Sequence, residues 1–396
     1  MIVSPSLQCS NRVAFFILNT SQFQKWRSVL VPQMAVKMIS RYRGAMLGGL
    51  VGDCLGATFE MKYQTMVPAR KVTAFLQEVE QMDPETDELF RYTDDTAMAR
   101  QIALSYLEQG RLEPASLARS FTLEYFREPW RGYGGSVVEV FTKLRASQFS
   151  HPFQPAAQQF NGSGSYGNGA GMRAHAVGLA AGGAGEGSAQ SAAEEVARLT
   201  HSHPLGVRGG VVQALAVWHA LQGASPAKIL AACQSLVAEL EEGDPHSQYT
   251  HKLQLVASSL HKPDSDLEEI MFELGNDVSA VDSIPTALFC FLRVLNEAGS
   301  TDDPCSTFQR VLELAIRAGG DTDTIACMAC SLAGAHLGSQ AIPVWMTQSC
   351  ENSEAVADMA ERMFRQAFDR KNSEDQPTEQ SSAKKQKIDS TEEKVK

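Results

Sequence analysis

Two segments of the chain place acidic and hydroxyl side chains together, each immediately before an apolar, helix-like run. They are Thr93-Asp94-Asp95-Thr96 and, much later, Gly319-Gly320-Asp321-Thr322-Asp323-Thr324. Their oxygens are the hard ligands that Mg²⁺ takes in proteins. Each segment alone is also what a helix cap requires, since Asp and Thr accept backbone N–H bonds at a helix start. If the fold joins the two, four carboxylates need positive charge between them, and two cations meet that need better than one.

A glycine-rich loop has the composition of a phosphate-binding segment. Asn161-Gly162-Ser163-Gly164-Ser165-Tyr166-Gly167-Asn168-Gly169 satisfies G-x-G-x-x-G, but no buried strand precedes it, so the context of a Rossmann fold is missing. Small residues still let backbone N–H groups approach a phosphate, and Phe160 and Tyr166 could stack on a base. A flexible surface loop is the alternative. The shorter loop Gly132-Tyr133-Gly134-Gly135-Ser136 has the same design.

Three further groups of residues are open to a chemical or a structural interpretation. Glu60 ends an apolar, glycine-containing segment, where it is either a ligand or general acid or simply a solvent-facing side chain. His201 belongs to a His-x-His pair, and since the other candidate ligands are hard oxygens, we expect it to bond a substrate phosphate or hydroxyl. Cys327 and Cys330 form C-x-x-C in an apolar run without a second pair, which favours core packing.

Helical periodicity dominates the chain from about residue 39, and no convincing strand alternation accompanies it. The sequence therefore predicts an all-α domain of many short helices whose connections carry the chemistry. After a first helix near residues 39–55, the predicted helical runs are 95–109, 115–127, 135–146, 190–201, 209–222, 226–241, 250–261, 284–297, 306–318, 324–337 and 352–369.

Composition and the two ends of the chain limit the function. A net charge of −11 over 396 residues argues against direct DNA binding, and no apolar run is long enough to cross a membrane. Residues 1–38 contain no acid and several basic residues, as in a transit peptide, although an unstructured extension is equally compatible. The polar composition of residues 371–396 predicts a disordered tail, in which lysines at 384, 385 and 387 are either a weak nuclear signal or a solvated run.

The order of these motifs resembles the ADP-ribosylglycohydrolase family over roughly residues 39–370. The matching motifs are Gly-Asp-x-x-Gly at 52–56 followed by Glu60, Thr93-Asp94-Asp95-Thr96, Gly-Tyr-Gly at 132–134, the glycine loop with Met172-Arg173, Thr200-His201 and Gly-Gly-Asp-Thr-Asp-Thr. The loop together with Ser283-Ile284-Pro285-Thr286-Ala287 is most similar to the vertebrate members that remove ADP-ribose from serine. Ser136 and the pair Ala170-Gly171 depart from the family pattern. These departures affect loop geometry and leave the acidic motifs intact.

The resemblance implies an orthogonally packed multi-helix single domain, residues 39–370, with a central binuclear site holding two Mg²⁺ ions. It implies as metal ligands Glu60, Thr93, Asp94, Asp95, Asp321, Asp323 and Thr324, with Asp323 shared between the ions, and as catalytic residues Glu60 and Asp95. It implies as substrate-binding residues Asp95, Gly132, Phe160, Gly164, Ser165, Tyr166, Gly167, Asn168 and His201.

The activity implied is Mg²⁺-dependent hydrolysis of the glycosidic bond between ADP-ribose and serine on modified proteins, and also of poly(ADP-ribose) and O-acetyl-ADP-ribose. We expect a monomer without membrane partners, nuclear and cytoplasmic with a mitochondrial matrix pool. One alternative is a Mg²⁺-dependent phosphohydrolase, because Asp321-Thr322-Asp323-Thr324-Ile325 nearly matches D-x-D-x-T/V, but that motif should end a buried strand. Another is a non-catalytic ADP-ribose binder or crystallin-like relative, which should have lost its metal ligands.

Overall fold

The computed structural model describes residues 20–299 and 302–374, which form α-helices, three 3₁₀ turns and no strand. The prediction of an all-α fold is confirmed. The helices are α1 (Thr20–Gly56), α2 (Ala69–Glu80), α3 (Asp94–Gln109), α4 (Pro114–Arg127), α5 (Gly135–Ala146), α6 (Gln154–Ala157), α7 (Gly169–Met172), α8 (Ala174–Ala180), α9 (Glu186–Arg198), α10 (Pro204–Leu221), α11 (Pro226–Leu240), α12 (Gln248–Ser259), α13 (Leu267–Leu274), α14 (Ala280–Glu297), α15 (Pro304–Arg317), α16 (Thr322–Leu337), α17 (Val344–Gln348) and α18 (Ser353–Glu374). The 3₁₀ turns are Gln159–Gly162, Asp264–Asp266 and Ser339–Ala341.

Most predicted helices lie within a few residues of their observed positions. The short helices α6, α7, α8, α13 and α17 were not predicted, and neither was the longer α2. Its buried residues Val72, Leu76 and Val79 follow the three- and four-residue spacing of one helix face. The signal was therefore present in the sequence. The helices α7 and α8, which directly follow the glycine loop, are too short to show periodicity.

α16 lies in the core, with α10, α14 and α15 packed against it. Every residue from Thr322 to Ala335 is buried, so this helix has no polar face. A helix that is apolar on all sides is stable only when other helices cover it. Its acidic first turn is therefore held at the centre of the packed helices, and not at a solvent-exposed helix end.

A row of glycines lets α1 run directly against the backbone of α16. A Cβ atom at Gly44, Gly48, Gly52 or Gly56 would lie 2.2–2.5 Å from a carbonyl oxygen of residue 334, 330, 326 or 322, respectively. The four-residue spacing puts these glycines on one face of α1, and the descending partner numbers show that the helices are antiparallel. This close approach brings the end of α1 beside the start of α16.

The ends of the chain bear on the predicted boundaries. Contacts divide the chain into Met1–Lys37 and Met38–Lys396, and the site described below lies in the second unit. α1 continues through the predicted limit at residue 38, and α18 continues to Glu374, past the predicted limit at 370. The rest of the predicted extension, residues 1–19, and of the predicted tail, 375–396, lies outside the described residues. Among the helices described, none has the length and hydropathy that a membrane span needs.

Candidate active site

The carboxylate of Asp53, on α1, holds the start of α3. Asp53 is fully buried, and its oxygens accept hydrogen bonds from the backbone N–H groups of Thr93 and Thr96, both at 3.0 Å. These N–H groups have no partner within the helix, and the helix dipole favours an acid there. Asp53 belongs to the Gly-Asp-x-x-Gly motif at 52–56, but no role was predicted for it, because one acid in a glycine-rich helix gives no further signal until α1 and α3 pack together.

Arg131 fixes the same segment from the other side. Its carbonyl oxygen accepts from the N–H of Asp94 at 2.6 Å, and its guanidinium donates to the carbonyl of Tyr92 at 2.8 Å. The guanidinium also stacks 3.7 Å from the centre of the Tyr92 ring and pairs with Glu128 and Glu351. The residues between Tyr92 and the first turn of α3 are therefore held at both ends, so the acid pair has a fixed position.

The first turn of α16 meets the first turn of α3. Carboxylate oxygens of Glu60, Asp321 and Asp323 lie within 4.8 Å of one another. The hydroxyl of Thr324 donates to Oδ1 of Asp95 at 3.4 Å, which joins the two acidic segments directly. The structure thus brings together the residues that the sequence separates by more than half of the chain.

The segment that carries Glu60 is attached to the glycine pair before α16. The N–H of Met61 donates to the carbonyl of Gly320 at 2.8 Å, and the N–H of Gly320 donates to the carbonyl of Tyr63 at 2.7 Å. Gly320 has φ +63°, and a Cβ atom there would lie 2.0 Å from the carbonyl oxygen of Asn276. Only glycine fits this position, which sets the distance between Glu60 and Asp321.

The donor set fits a divalent cation. Within the described part of the chain, no Lys or Arg forms an ion pair with Asp53, Glu60, Asp94, Asp95, Asp321 or Asp323. Oδ2 of Asp95 is buried without a hydrogen-bond partner among those residues. Buried carboxylates in such number require a compensating positive charge. Their oxygens, with the threonine hydroxyls, are ligands of the kind that Mg²⁺ takes.

The pKa values of these acids show the same unbalanced charge. Burial, followed by the charge of Asp53, raises the pKa of Asp94 to about 8. Burial and then neighbouring aspartates raise the pKa values of Asp95 and Asp323 well above the ordinary range. Burial, then Asp321 and Asp53, raise the pKa of Glu60. Without a cation, protons would therefore neutralise part of the cluster.

The glycine loop is pinned beside this cluster. The N–H of Asn168 donates to the carbonyl of Val278 at 2.9 Å, and the N–H of Ala280 donates to the carbonyl of Tyr166 at 3.0 Å. The side-chain amide of Asn168 donates to Asp321 at 2.5 Å and to Ser283 at 3.1 Å. The amide of Asn168 thus links the loop to the acidic cluster, a contact that the sequence analysis did not anticipate.

His201 lies under the glycine loop as a neutral imidazole. Burial, and next the charge of Arg173, lower its pKa to about 3. The hydroxyl of Thr200 accepts from Arg173 at 2.7 Å and lies 2.8 Å from Nδ1 of His201. Its own hydrogen can donate to Nδ1, which leaves the ring proton on Nε2, on the side of Gly167 and Gly169. His201 can therefore offer one N–H group to an oxygen of a ligand.

One cavity of about 350 Å³ joins the loop and the acids. Two exposed aromatic side chains, Phe160 and Tyr166, lie at its mouth. It is lined by all but one of the predicted site residues, namely Glu60, Thr93, Asp94, Asp95, Gly132, Phe160, Ser165, Tyr166, Gly167, Asn168, His201, Asp321, Asp323 and Thr324. Gly164 is the exception. A Cβ atom there would lie 2.1 Å from Oγ of Ser202, so Gly164 serves close packing behind the loop.

Known proteins resemble this chain over most of its length. The family model described as ADP-ribosylglycohydrolase matches residues 34–373. The chain is 37% identical to ADP-ribosylhydrolase ARH3 of Homo sapiens, over 84% of this chain and 94% of the relative. It is 38% identical to ADP-ribosylhydrolase ARH3 of Xenopus tropicalis, over 82% of this chain and 95% of the relative.

A solved structure shares the fold. The structure of an ADP-ribosylglycohydrolase-related protein complex superimposes with a TM-score of 0.62 and 24% identity, over 84% of this chain and 99% of that chain. The sequence match covers nearly the whole helical domain, and the acidic segments converge on one cavity. The chain therefore belongs to the ADP-ribosylglycohydrolase family, whose members hydrolyse ADP-ribosyl glycosidic bonds.

Proposed function

We propose that the protein is a Mg²⁺-dependent hydrolase that cleaves the bond between ADP-ribose and serine on modified proteins, and that it also acts on poly(ADP-ribose) and O-acetyl-ADP-ribose. The observation that carries the proposal is the meeting of the first turns of α3 and α16 in the cavity that the glycine loop also lines. Such a cavity suits a ligand with hydroxyl groups at one end and a base at the other. The serine acceptor is supported by the resemblance of the loop and the Ser283–Ala287 segment to serine-directed members of the family, and the ADP-ribosylhydrolase ARH3 relatives support hydrolysis of an ADP-ribosyl bond.

The substrate would lie with its adenine between the exposed rings of Phe160 and Tyr166. Nε2–H of His201 and the hydroxyl of Ser165 would donate to oxygens of the diphosphate or of the distal ribose. Since His201 is neutral, it adds direction without adding charge. This orientation places the anomeric carbon of the distal ribose beside the acidic cluster, and such positioning lowers the barrier by itself.

Two Mg²⁺ ions would be held by Glu60, Thr93, Asp94, Asp95, Asp321, Asp323 and Thr324, with Asp323 between them. When bound, they would supply the positive charge that the cluster lacks and make a water molecule more acidic. Glu60, which is exposed to the cavity, would take a proton from the attacking water and give one to the leaving serine oxygen. Asp95, with its unpartnered Oδ2, would orient the water or a ribose hydroxyl.

Neither alternative fits the geometry as well. A D-x-D phosphohydrolase motif should end a buried strand, but Asp321 and Asp323 start a helix, and the described residues contain no strand. A non-catalytic relative should have lost ligands, but the predicted metal ligands all line the cavity.

Mass spectrometry of the products tests the acceptor. Two peptides carrying ADP-ribose, one on serine and one on arginine, are incubated with the protein and Mg²⁺. We expect free ADP-ribose and unmodified peptide from the serine-linked substrate only. Release from the arginine-linked peptide alone would refute the serine assignment while leaving the family activity intact.

A further inference from the structure

Exposed aromatic and basic side chains gather where α4 ends. The side chains of Trp130, Arg127 and Phe126 are 66%, 62% and 40% exposed. The guanidinium of Arg145, on α5, lies 4.5 Å from the centre of the Phe126 ring. We call Phe126, Arg127, Trp130 and Arg145 the arginine–aromatic patch. None of them lines the cavity, so the site described above leaves them without a role.

This patch adjoins the metal end of the cavity. Trp130 directly precedes Arg131, whose carbonyl accepts from the N–H of Asp94 at 2.6 Å. The loop of residues 132–136 follows Arg131 and lines the cavity. At its far end, the side-chain amide of Gln159, the residue before Phe160, donates to the carbonyl of Ser136. Trp130 therefore stands at the end of this loop that lies next to Asp94, away from the aromatic rings proposed to hold the adenine.

A chain of ring contacts connects the rest of the patch to the same loop. The rings of Phe126 and Tyr125 have centroids 5.1 Å apart, and the rings of Tyr125 and Tyr133 are also 5.1 Å apart. Tyr133 belongs to the cavity-lining loop. These ring contacts attach the patch to the loop whose residues Gly132, Gly134 and Ser136 line the cavity.

The chemistry of the patch matches a nucleotide. Arg145 forms no ion pair with a described residue, and Arg127 pairs only with the buried Glu124, at 2.5 Å, so most of its surface faces solvent. Exposed aromatic rings stack on bases, and guanidinium groups bind phosphates. The exposed guanidinium groups of Arg127 and Arg145 would attract an anionic ligand to this surface, although the chain as a whole carries a net charge of −11. A polypeptide acceptor offers no fixed base and diphosphate to meet these groups.

We propose that the arginine–aromatic patch binds a second ADP-ribose unit, the one joined through an oxygen of its adenosine to the unit whose bond is cleaved. The inference rests on the proposed function, which places the scissile bond at the metal end. In the reaction, water adds to the anomeric carbon, the C–O bond to the second unit breaks, and the leaving oxygen takes up a proton. The second unit, released as an alcohol, would hold its base on Trp130 and its diphosphate near Arg145.

The test compares an ADP-ribose dimer with ADP-ribosylated free serine, which lacks a second unit. Trp130→Ala and Arg145→Gln should each raise KM for the dimer roughly five- to tenfold, the effect expected from loss of one stacked base or phosphate contact. Values of kcat/KM for ADP-ribosyl-serine should stay unchanged. Trp130→Phe should restore most of the loss, since it keeps an aromatic face. Phe272→Ala, at an 86% exposed position on α13, is the matched control.

Equilibrium binding separates this inference from the proposed function. Calorimetry should show that Trp130→Ala weakens binding of the dimer and leaves binding of monomeric ADP-ribose unchanged, whether or not turnover is seen. Equal dimer affinity in the unchanged protein and both variants would overturn the inference. So would a raised KM for an ADP-ribosylated serine peptide without any change for the dimer, because the patch would then bind polypeptide. Absence of turnover with every substrate would count against the proposed function alone.

Discussion

At the scale of single residues, the environment of each acid in this site decides its role. Asp53 is fully buried and accepts from backbone N–H groups, so it positions α3. Glu60 is exposed at the cavity and can exchange a proton with solvent. The sequence allowed Glu60 to be identified only through its place in a family motif, since a lone glutamate after a helix has no distinctive spacing.

Replacing the carboxyl of Glu60 tests its role in proton transfer. Glu60→Gln keeps the size of the side chain and removes the acid, so kcat should fall by at least about 100-fold at saturating Mg²⁺, the range expected for a general acid or base. KM should change little, because the substrate contacts lie elsewhere. The measurement is steady-state release of ADP-ribose from a serine-linked peptide. The matched control is Glu85→Gln, at an exposed position outside the cavity. An unchanged kcat in Glu60→Gln would remove Glu60 from the mechanism.

His175 gives the fold a dependence on pH that is separate from catalysis. It is buried in α8, its Nδ1 donates to the carbonyl of Met172 at 3.2 Å, and burial lowers its pKa to about 4. The unfolded chain therefore takes up a proton on this ring as the pH falls from about 6.5 to 4, whereas the folded chain does not. The neutral ring thus supports the fold above pH 6.5, and acidification removes that support.

The test for His175 compares how much the free energy of unfolding falls with pH in two proteins. Between pH 7.5 and pH 5, the protein should lose about 2 kcal/mol more stability than the variant His175→Gln, in which this titration is absent. Urea unfolding of both proteins at the two pH values, in saturating Mg²⁺, measures the difference. The other titrating groups are shared by both proteins and cancel. Equal losses in the two proteins would show that His175 titrates normally.

At the scale of elements, the site depends on how α1, α3 and α16 are packed. The apolar run of α16 and the acids at its start were readable in the sequence, and so was the glycine spacing in α1. The register between the two helices was not readable, because it is set by contacts between distant segments. The amide of Asn168 that reaches Asp321 was missed for the same reason.

A methyl group in the α1–α16 contact tests this packing. In Gly48→Ala the added Cβ would lie 2.2 Å from the carbonyl of Cys330, which is backbone and cannot move aside. We expect a loss of about 3 kcal/mol of stability and a lower Mg²⁺ affinity, as α16 shifts against α1. Thermal unfolding and Mg²⁺ titration are the measurements. Gly187→Ala is the control, because nothing lies within 4 Å of its added Cβ and alanine favours the helix α9. A Gly48→Ala protein as stable as this control would contradict the close approach.

At the scale of the whole molecule, the fold brings acids from distant parts of the chain together at one site. A −11 chain gathers five of its carboxyl groups around one cavity and buries a sixth, that of Asp53, at the start of α3, with no basic side chain paired to them among the described residues. Such an arrangement destabilises the fold unless cations are bound. The family resemblance led us to expect the two acidic segments in one site, and in the structure both line the same cavity. Spacing alone could not, since the same residues also satisfy the requirements of two independent helix caps.

The central claim is that this cluster is a site for two divalent cations, and calorimetric titration with Mg²⁺ tests it directly. Protein stripped with a chelator is titrated beside the double variant Asp94→Asn/Asp95→Asn, which keeps the shape of both side chains. The account predicts saturable binding of two Mg²⁺ ions per chain in the unchanged protein and loss of that binding in the variant. Absence of saturable binding in the unchanged protein, or the same two-ion binding in the variant, would contradict it.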